Sequence, residues 1–188
     1  DTGVAMGYSA NLANLYSRLL YEYDVEKFAS SLAVNQISMM PSRISYIKDF
    51  HGPSMVIDTA CSSSLVAIHT ACEWIKSNKC KVVMTGGASL ALASYDNGMG
   101  VGYEASDCRT RAFSNQSNGA AIGEGIGVVV LKRYSEAVRD KDAVYAVIKG
   151  SAVNQDGSSF GIAAPNLKAQ ADVISKAWDN AGVNPEEI

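Results

Sequence analysis

The residue with the clearest chemical potential is Cys61, within the segment Asp58-Thr-Ala-Cys-Ser-Ser-Ser-Leu65. Residues 54–60 predict a short buried strand and residues 61–77 predict a helix, so the cysteine lies where one element passes into the other. The free N–H groups and the dipole of a first helical turn create positive potential. A thiolate is stabilised at such a position, and the same N–H groups can donate to an oxyanion when the sulfur attacks a thioester carbonyl. The pattern therefore predicts a nucleophilic cysteine.

The position of Cys61 alone is equally compatible with a buried, inert cysteine followed by serines that cap the helix. A catalytic base is not evident among the two histidines. His51 falls in the loop before the strand, and His69 lies eight residues beyond Cys61, about 12 Å along the helix axis. Direct proton transfer over that distance is excluded, and we expect both histidines to be packed or partly exposed.

Composition excludes several other classes of function. Sixteen basic and nineteen acidic residues give a net charge of −3 without a basic stripe, which argues against nucleic acid as a partner. The four cysteines form no Cys-x-x-Cys pair, so we expect no metal site and reduced thiols. Phosphate-binding and serine-hydrolase motifs are missing, and we expect no cofactor bound by this chain.

We also expect no membrane span, since no apolar run is long enough to cross a bilayer. We expect a cytoplasmic protein; an organelle stays open because the chain begins at Asp1 without an initiator methionine.

The elements around Cys61 predict an α/β fold in which buried strands alternate with helices. Residues 1–7 predict a strand, and residues 26–47 a helix that ends near Pro41 and restarts beyond it. The 61–77 helix is expected to pack through the apolar positions Leu65, Ile68, Cys72 and Ile75 and to break at Asn78. Residues 81–85 predict a second buried strand, closed by Gly86-Gly87.

The second half of the chain continues this alternation. Residues 126–131 and 143–149 predict strands, separated by a polar segment. Asn166 is a suitable N-cap for a helix that runs to Asn180 and ends at Ala181-Gly182. Residues 94–125 are rich in Gly, Ser and Asn and predict a long ordered loop.

With these motifs in order, the chain resembles the ketosynthase domain of type I polyketide synthases. The similar blocks are Asp58 to Leu65, Arg43-Ile-Ser-Tyr46, Gly52-Pro-Ser54, Gly86-Gly87, Gly123-Glu-Gly125 with Val128 to Lys132, Gly150 to Gly157, and Ala164-Pro-Asn166. The resemblance implies a thiolase-like layered αβαβα fold, of which this chain holds mostly the N-terminal half. It also implies that residues 1–188 are a partial ketosynthase domain, truncated at both ends.

The resemblance further implies that Cys61 accepts an acyl chain. The implied reaction is acyl transfer to this cysteine, followed by decarboxylative Claisen condensation with a malonyl-type extender. Both substrates would be carried on the phosphopantetheine arm of acyl carrier protein. The implied partners are this carrier protein, a second copy in a homodimer with the strand before Cys61 near the two-fold axis, and neighbouring synthase domains in one chain.

The two histidine blocks of the family, His-Gly-Thr-Gly-Thr and Asn-Ile-Gly-His, do not occur in this sequence. We attribute their absence to truncation and expect the chain by itself to be inactive. The alternatives are a fatty-acid synthase condensing domain, a non-elongating ketosynthase-like domain that binds acyl chains without condensing them, and an α/β domain without chemistry at Cys61.

Overall fold

The computed structural model describes residues 1–8, 19–32, 35–90, 104–121, 123–162 and 164–187. Its strands are β1 (Thr2–Gly7), β2 (Ser54–Ile57), β3 (Val82–Ser89) and β4 (Gly125–Lys132). Its helices are α1 (Val25–Ser31), α2 (Met39–Lys48), α3 (Ser63–Lys76), α4 (Tyr134–Asp140) and α5 (Leu167–Ala181). The prediction of an α/β fold is confirmed.

The four strands form one mixed sheet in the order β2-β1-β3-β4. Strand β1 pairs in parallel with both β2 and β3, whereas β3 pairs antiparallel with β4. Parallel pairing requires crossover connections, and α3 supplies the one between β2 and β3. The strand that leads towards Cys61 therefore lies at one edge of the sheet, next to the buried central strand β1.

Helix α3 packs on the sheet through small side chains, and the predicted packing face is partly wrong. Ser63, Ala67 and Ala71 are buried together with Trp74 and Ile75, whereas Leu65 is 71% exposed. The core joins this face of α3 to the strands, and its buried members are Ala5, Ala67, Ala71, Trp74, Ile75, Cys80 and Val83. Small residues face the sheet over the first two turns of α3, where the helix approaches the strands closely, and the large residues Trp74 and Ile75 are buried only near its C-terminal end.

The glycine pair after the second predicted strand does not end it. Strand β3 continues through Gly86 and Gly87 to Ser89. Gly86 adopts a φ of +155°, and a Cβ atom built on it would lie 2.0 Å from the Gly127 carbonyl oxygen of β4. The pair is thus needed inside the strand for close backbone approach, not for a turn.

The predicted break near Pro41 is also displaced. Helix α1 ends at Ser31, and α2 begins at Met39, so Pro41 lies in the first turn of the second helix. Proline is tolerated there because the N–H groups of a first turn have no acceptor within the helix.

In the second half, two of the predicted elements are confirmed. Strand β4 covers the 126–131 run, and α5 begins after Asn166, whose Oδ1 accepts hydrogen bonds from the N–H groups of Lys168 and Ala169. The helix ends at Gly182 in a left-handed conformation.

One strand predicted for this half is wrong. Residues 143–149 form no strand, because no neighbouring strand in the described part of the chain pairs with them, and the polar segment before them contains α4. Of the predicted 94–125 loop, residues 94–103 and 122 lie outside the described residues. Residues 104–121 form no helix or named strand and contain one isolated bridge between Glu104 and Ala120.

Candidate active site

Cys61 lies at the junction that the sequence predicts, although each element is shorter than expected. Strand β2 ends at Ile57, Ala60–Ser62 form a 3-10 turn, and α3 begins at Ser63. The Cys61 thiol is exposed. A sulfur atom in this position is accessible to a substrate from solvent, which a cysteine buried in apolar packing would not be.

The residue before the cysteine makes the turn unusually tight. Ala60 has a φ of 53°, in the left-handed region that residues with a side chain seldom adopt. The Ala60 N–H donates a hydrogen bond of 3.1 Å to Asp58 Oδ1, which holds the chain in this conformation. This left-handed residue was not predicted from the sequence, in which its only signal is Asp58, two residues before Ala60.

The serines after Cys61 do not cap α3 in the expected way. Ser62 is the N-cap residue but makes no side-chain capping bond. Its hydroxyl instead donates to the Thr59 carbonyl at 2.8 Å. The buried Ser63 hydroxyl accepts from the Thr59 N–H at 2.8 Å and donates to the Ala60 carbonyl at 2.7 Å. These bonds fasten the loop to the helix, so the serines stabilise the turn that presents Cys61.

The backbone amide of Cys61 has a chemical use in this arrangement. The next two amides have acceptors, since the Ser62 N–H donates to the Thr59 carbonyl and the Ser63 N–H to the Ala60 carbonyl. Within the part of the chain that the structure describes, no acceptor is found for the Cys61 N–H. An amide in this state can donate to the oxyanion that forms when the adjacent sulfur attacks a carbonyl carbon.

The other three cysteines differ from Cys61 in burial or in the element that carries them. Cys80 is buried and Cys72 is partly buried, and burial raises the pKa of both thiols above the ordinary value. Both thiols are therefore poorer nucleophiles than an accessible cysteine at the same pH. Cys108 is exposed, like Cys61, but lies in the 104–121 segment without a helix behind it.

Both histidines have partners away from the cysteine. His69 Nδ1 lies 2.8 Å from Ser151 Oγ, and the exposed His51 Nε2 lies 3.2 Å from Asp49 Oδ1. These contacts match the expectation that neither histidine is paired with Cys61. The described residues contain no group of three or more metal-ligating side chains, and no described helix is long and apolar enough to cross a membrane.

Two family profiles match this chain in order. The profile described as "Beta-ketoacyl synthase, N-terminal domain" matches residues 1–137, and the one described as "Beta-ketoacyl synthase, C-terminal domain" matches residues 145–188. The first match includes the four strands, α3 and Cys61, and it covers more than half of the chain.

Curated relatives are much longer than this chain. Polyketide synthase PksN of Bacillus subtilis (strain 168) is 42% identical over 178 residues, which are 92% of this chain and 3% of PksN. A phenolphthiocerol/phthiocerol polyketide synthase of Mycobacterium tuberculosis is 47% identical over 157 residues, 81% of this chain and 8% of that protein. The chain thus spans a small part of these multidomain synthases.

Solved ketosynthases share the fold. The ketosynthase from module 6 of the bacillaene synthase of Bacillus subtilis 168 superposes with a TM-score of 0.83 at 37% identity, over all of this chain and 32% of that one. Ketosynthase twelve of the bacillaene polyketide synthase of Bacillus amyloliquefaciens gives a TM-score of 0.88 at 35% identity, over all of this chain and 33% of that one. The predicted thiolase-like fold is confirmed, and the chain belongs to the beta-ketoacyl synthase family.

Proposed function

We propose that the protein containing this chain is a β-ketoacyl synthase of polyketide biosynthesis and that Cys61 is its acyl-accepting nucleophile. The observation that carries the proposal is an exposed cysteine whose own backbone amide has no acceptor among the described residues, at a strand-to-helix junction in a chain of this family. The sulfur and the amide are the two groups that attack on a thioester requires: a nucleophile and a donor for the oxyanion.

The first step is acyl transfer. The deprotonated Cys61 sulfur attacks the carbonyl carbon of an acyl thioester, and a new carbon–sulfur bond forms. The oxyanion accepts a hydrogen bond from the Cys61 N–H, and it collapses as the bond to the donor sulfur breaks. The donor sulfur departs as a thiolate and takes up one proton, which balances the proton that Cys61 lost before the attack. His51 and His69 have other partners, so we assign neither of them to this proton transfer.

The second step forms the carbon–carbon bond. A malonyl-type thioester loses CO₂, and the electron pair released remains on its α-carbon. This carbon attacks the acyl–Cys61 carbonyl, the bond from that carbonyl to the Cys61 sulfur breaks, and the sulfur regains its proton. The products are a β-ketoacyl thioester lengthened by the extender unit and the free enzyme.

We propose the phosphopantetheine arm of acyl carrier protein as the carrier of both thioesters, and neighbouring synthase domains as partners in the same chain. The curated relatives, which are long polyketide synthases, support the second point. We further propose a homodimer in which the edge strand β2 lies near the two-fold axis. Cytoplasmic location stays a prediction from the sequence.

The test is covalent loading of three full-length proteins: the unsubstituted protein, the Cys61→Ala variant and the Cys108→Ala variant. Cys108 is the matched control because it is also exposed. Incubation with the butyryl thioester of N-acetylcysteamine and intact-mass measurement should show one butyryl group on the unsubstituted protein and on Cys108→Ala, and none on Cys61→Ala. Loading that survives Cys61→Ala would refute the assignment. Loading without chain extension by a malonyl thioester would instead favour the non-elongating alternative.

A further inference from the structure

Two glycines lie directly under the start of the helix that follows Cys61. Gly7 ends β1, and Gly87 is its register partner on β3, so the two form one pair across adjacent parallel strands. The first turn of α3 rests on this pair. A Cβ atom on Gly7 would lie 2.5 Å from the Ser63 carbonyl carbon, and one on Gly87 would lie 2.7 Å from Ser64 Cβ.

These distances are too short for any side chain to fit. Carbon atoms in contact lie about 3.5–4.0 Å apart, so a methyl group at either position would displace the start of α3 by about 1 Å. At Gly7 the obstructing atoms are backbone, including Ser64 N at 2.5 Å and Ser64 Cα at 2.7 Å. At Gly87 the nearest atom is the side-chain Ser64 Cβ, and the nearest backbone atoms, Gly7 O at 3.3 Å and Ser64 Cα at 3.5 Å, would need to give by a few tenths of an ångström at most.

We infer that Gly7 and Gly87 are positioning residues for acyl transfer, because they fix how closely the first turn of α3, and with it Cys61, approaches the sheet. This inference rests on the proposed function. Ser63 links the helix start to the turn through its bonds to Thr59 and Ala60, so a displacement of that start is transmitted to the cysteine. A displacement of about 1 Å from a reactive geometry costs about 100-fold in rate.

The obstructing atoms are backbone at Gly7 and a side-chain atom at Gly87, so removing the Ser64 side chain should repair the defect of Gly87→Ala only. Ser64→Gly removes the Cβ atom that Gly87→Ala would strike, but it leaves the backbone that Gly7→Ala would strike. Gly3 provides a control on the same strand, four residues away. A Cβ atom there would meet Cys80 Sγ at 2.9 Å, Trp74 Cε3 at 3.2 Å and the Pro53 carbonyl oxygen at 3.3 Å, none of which belongs to the first turn of α3.

The experiment measures the rate of Cys61 butyrylation in the full-length protein, together with its thermal midpoint. We expect Gly87→Ala to slow butyrylation about 100-fold and the Ser64→Gly/Gly87→Ala double variant to react within about five-fold of Ser64→Gly alone. Gly7→Ala should stay slow with or without Ser64→Gly, and Gly3→Ala should react at close to the unsubstituted rate.

The inference is overturned if folded Gly87→Ala reacts at the unsubstituted rate, or if Ser64→Gly repairs the thermal midpoint but not the rate. If Gly87→Ala does not fold, the Ser64→Gly/Gly87→Ala double variant tests the inference instead. A double variant that folds and reacts at the rate of Ser64→Gly supports the inference. A double variant that reacts slowly or does not fold overturns it. Failure of the proposed function is a different result, since the unsubstituted protein would then gain no acyl group on Cys61.

Discussion

The hydroxyl group of Thr85 is buried without a hydrogen-bond partner among the atoms that the structure describes. The residue is 0% exposed, and it lies on β3 opposite Ala5 of β1. A buried hydroxyl that lacks a partner costs about 1–3 kcal/mol, because it has lost its water and gained nothing in return. Valine has nearly the same shape and no hydroxyl. We therefore expect Thr85→Val to raise the free energy of unfolding by about 1 kcal/mol.

Two further substitutions at this position separate the hydroxyl from the methyl group. Thr85→Ser keeps the unpaired hydroxyl and removes one buried methyl, which should cost about 1 kcal/mol. Thr85→Ala removes both groups and leaves the site two methyl groups short of valine, so it should be about 2 kcal/mol less stable than Thr85→Val and about 1 kcal/mol less stable than the unsubstituted protein. The expected order of stability is valine first, threonine second, and alanine and serine together last.

Thermal unfolding of the full-length protein, read at the transition of the domain that contains this chain, measures this order as relative shifts of the midpoint. Thr70→Val is the matched control, because the Thr70 hydroxyl donates to the Val66 carbonyl at 2.9 Å and its removal should give no gain. The reasoning is refuted if Thr85→Val lowers the midpoint, or if it raises the midpoint no more than Thr70→Val does.

The remaining predictions concern the turn and its cysteine. Ala60→Val should lower the free energy of unfolding by about 1–2 kcal/mol and slow acyl loading, because a branched side chain fits poorly in the left-handed region, whereas Ala60→Gly should fold normally. Thermal melts of both variants check this, and equal midpoints would contradict it. In the folded protein at near-neutral pH, iodoacetamide should alkylate Cys61 ahead of the exposed Cys108. Cys72 and Cys80 should react last, because their raised pKa values leave less thiolate until the pH rises further. Equal labelling of all four cysteines would count against an activated Cys61.

The sequence was sufficient to locate the candidate nucleophile. An apolar run followed by helical periodicity placed Cys61 at a strand-to-helix junction, and the structure has this junction between Ile57 and Ser63. Helix α5 was equally predictable, since Asn166 and Gly182 are strong local signals for its two ends. These features depend on neighbouring residues only, which is why the sequence reveals them.

The packing of the site was not predictable in the same way. Hydrophobicity favoured Leu65 as a residue facing the sheet, but the buried face uses Ala67 and Ala71, because the distance between helix and sheet depends on strands far away in the sequence. Gly86 and Gly87 were expected to end the second strand, and this prediction was wrong for the same reason: the close neighbours that require them come from β4 and from α3. Small residues carry no hydrophobic signal, so only the folded chain shows where they are required.

The central claim is that the Cys61 sulfur accepts the acyl group, and peptide mapping tests it most directly. The full-length protein would be incubated briefly with the butyryl thioester, quenched in acid and digested with trypsin. Cleavage after Lys48 and Lys76 gives the peptide 49–76, which contains both Cys61 and Cys72. Fragmentation of this peptide should place the butyryl mass on Cys61. A butyryl group on Cys72 or on Cys108, with Cys61 unmodified, would contradict the account.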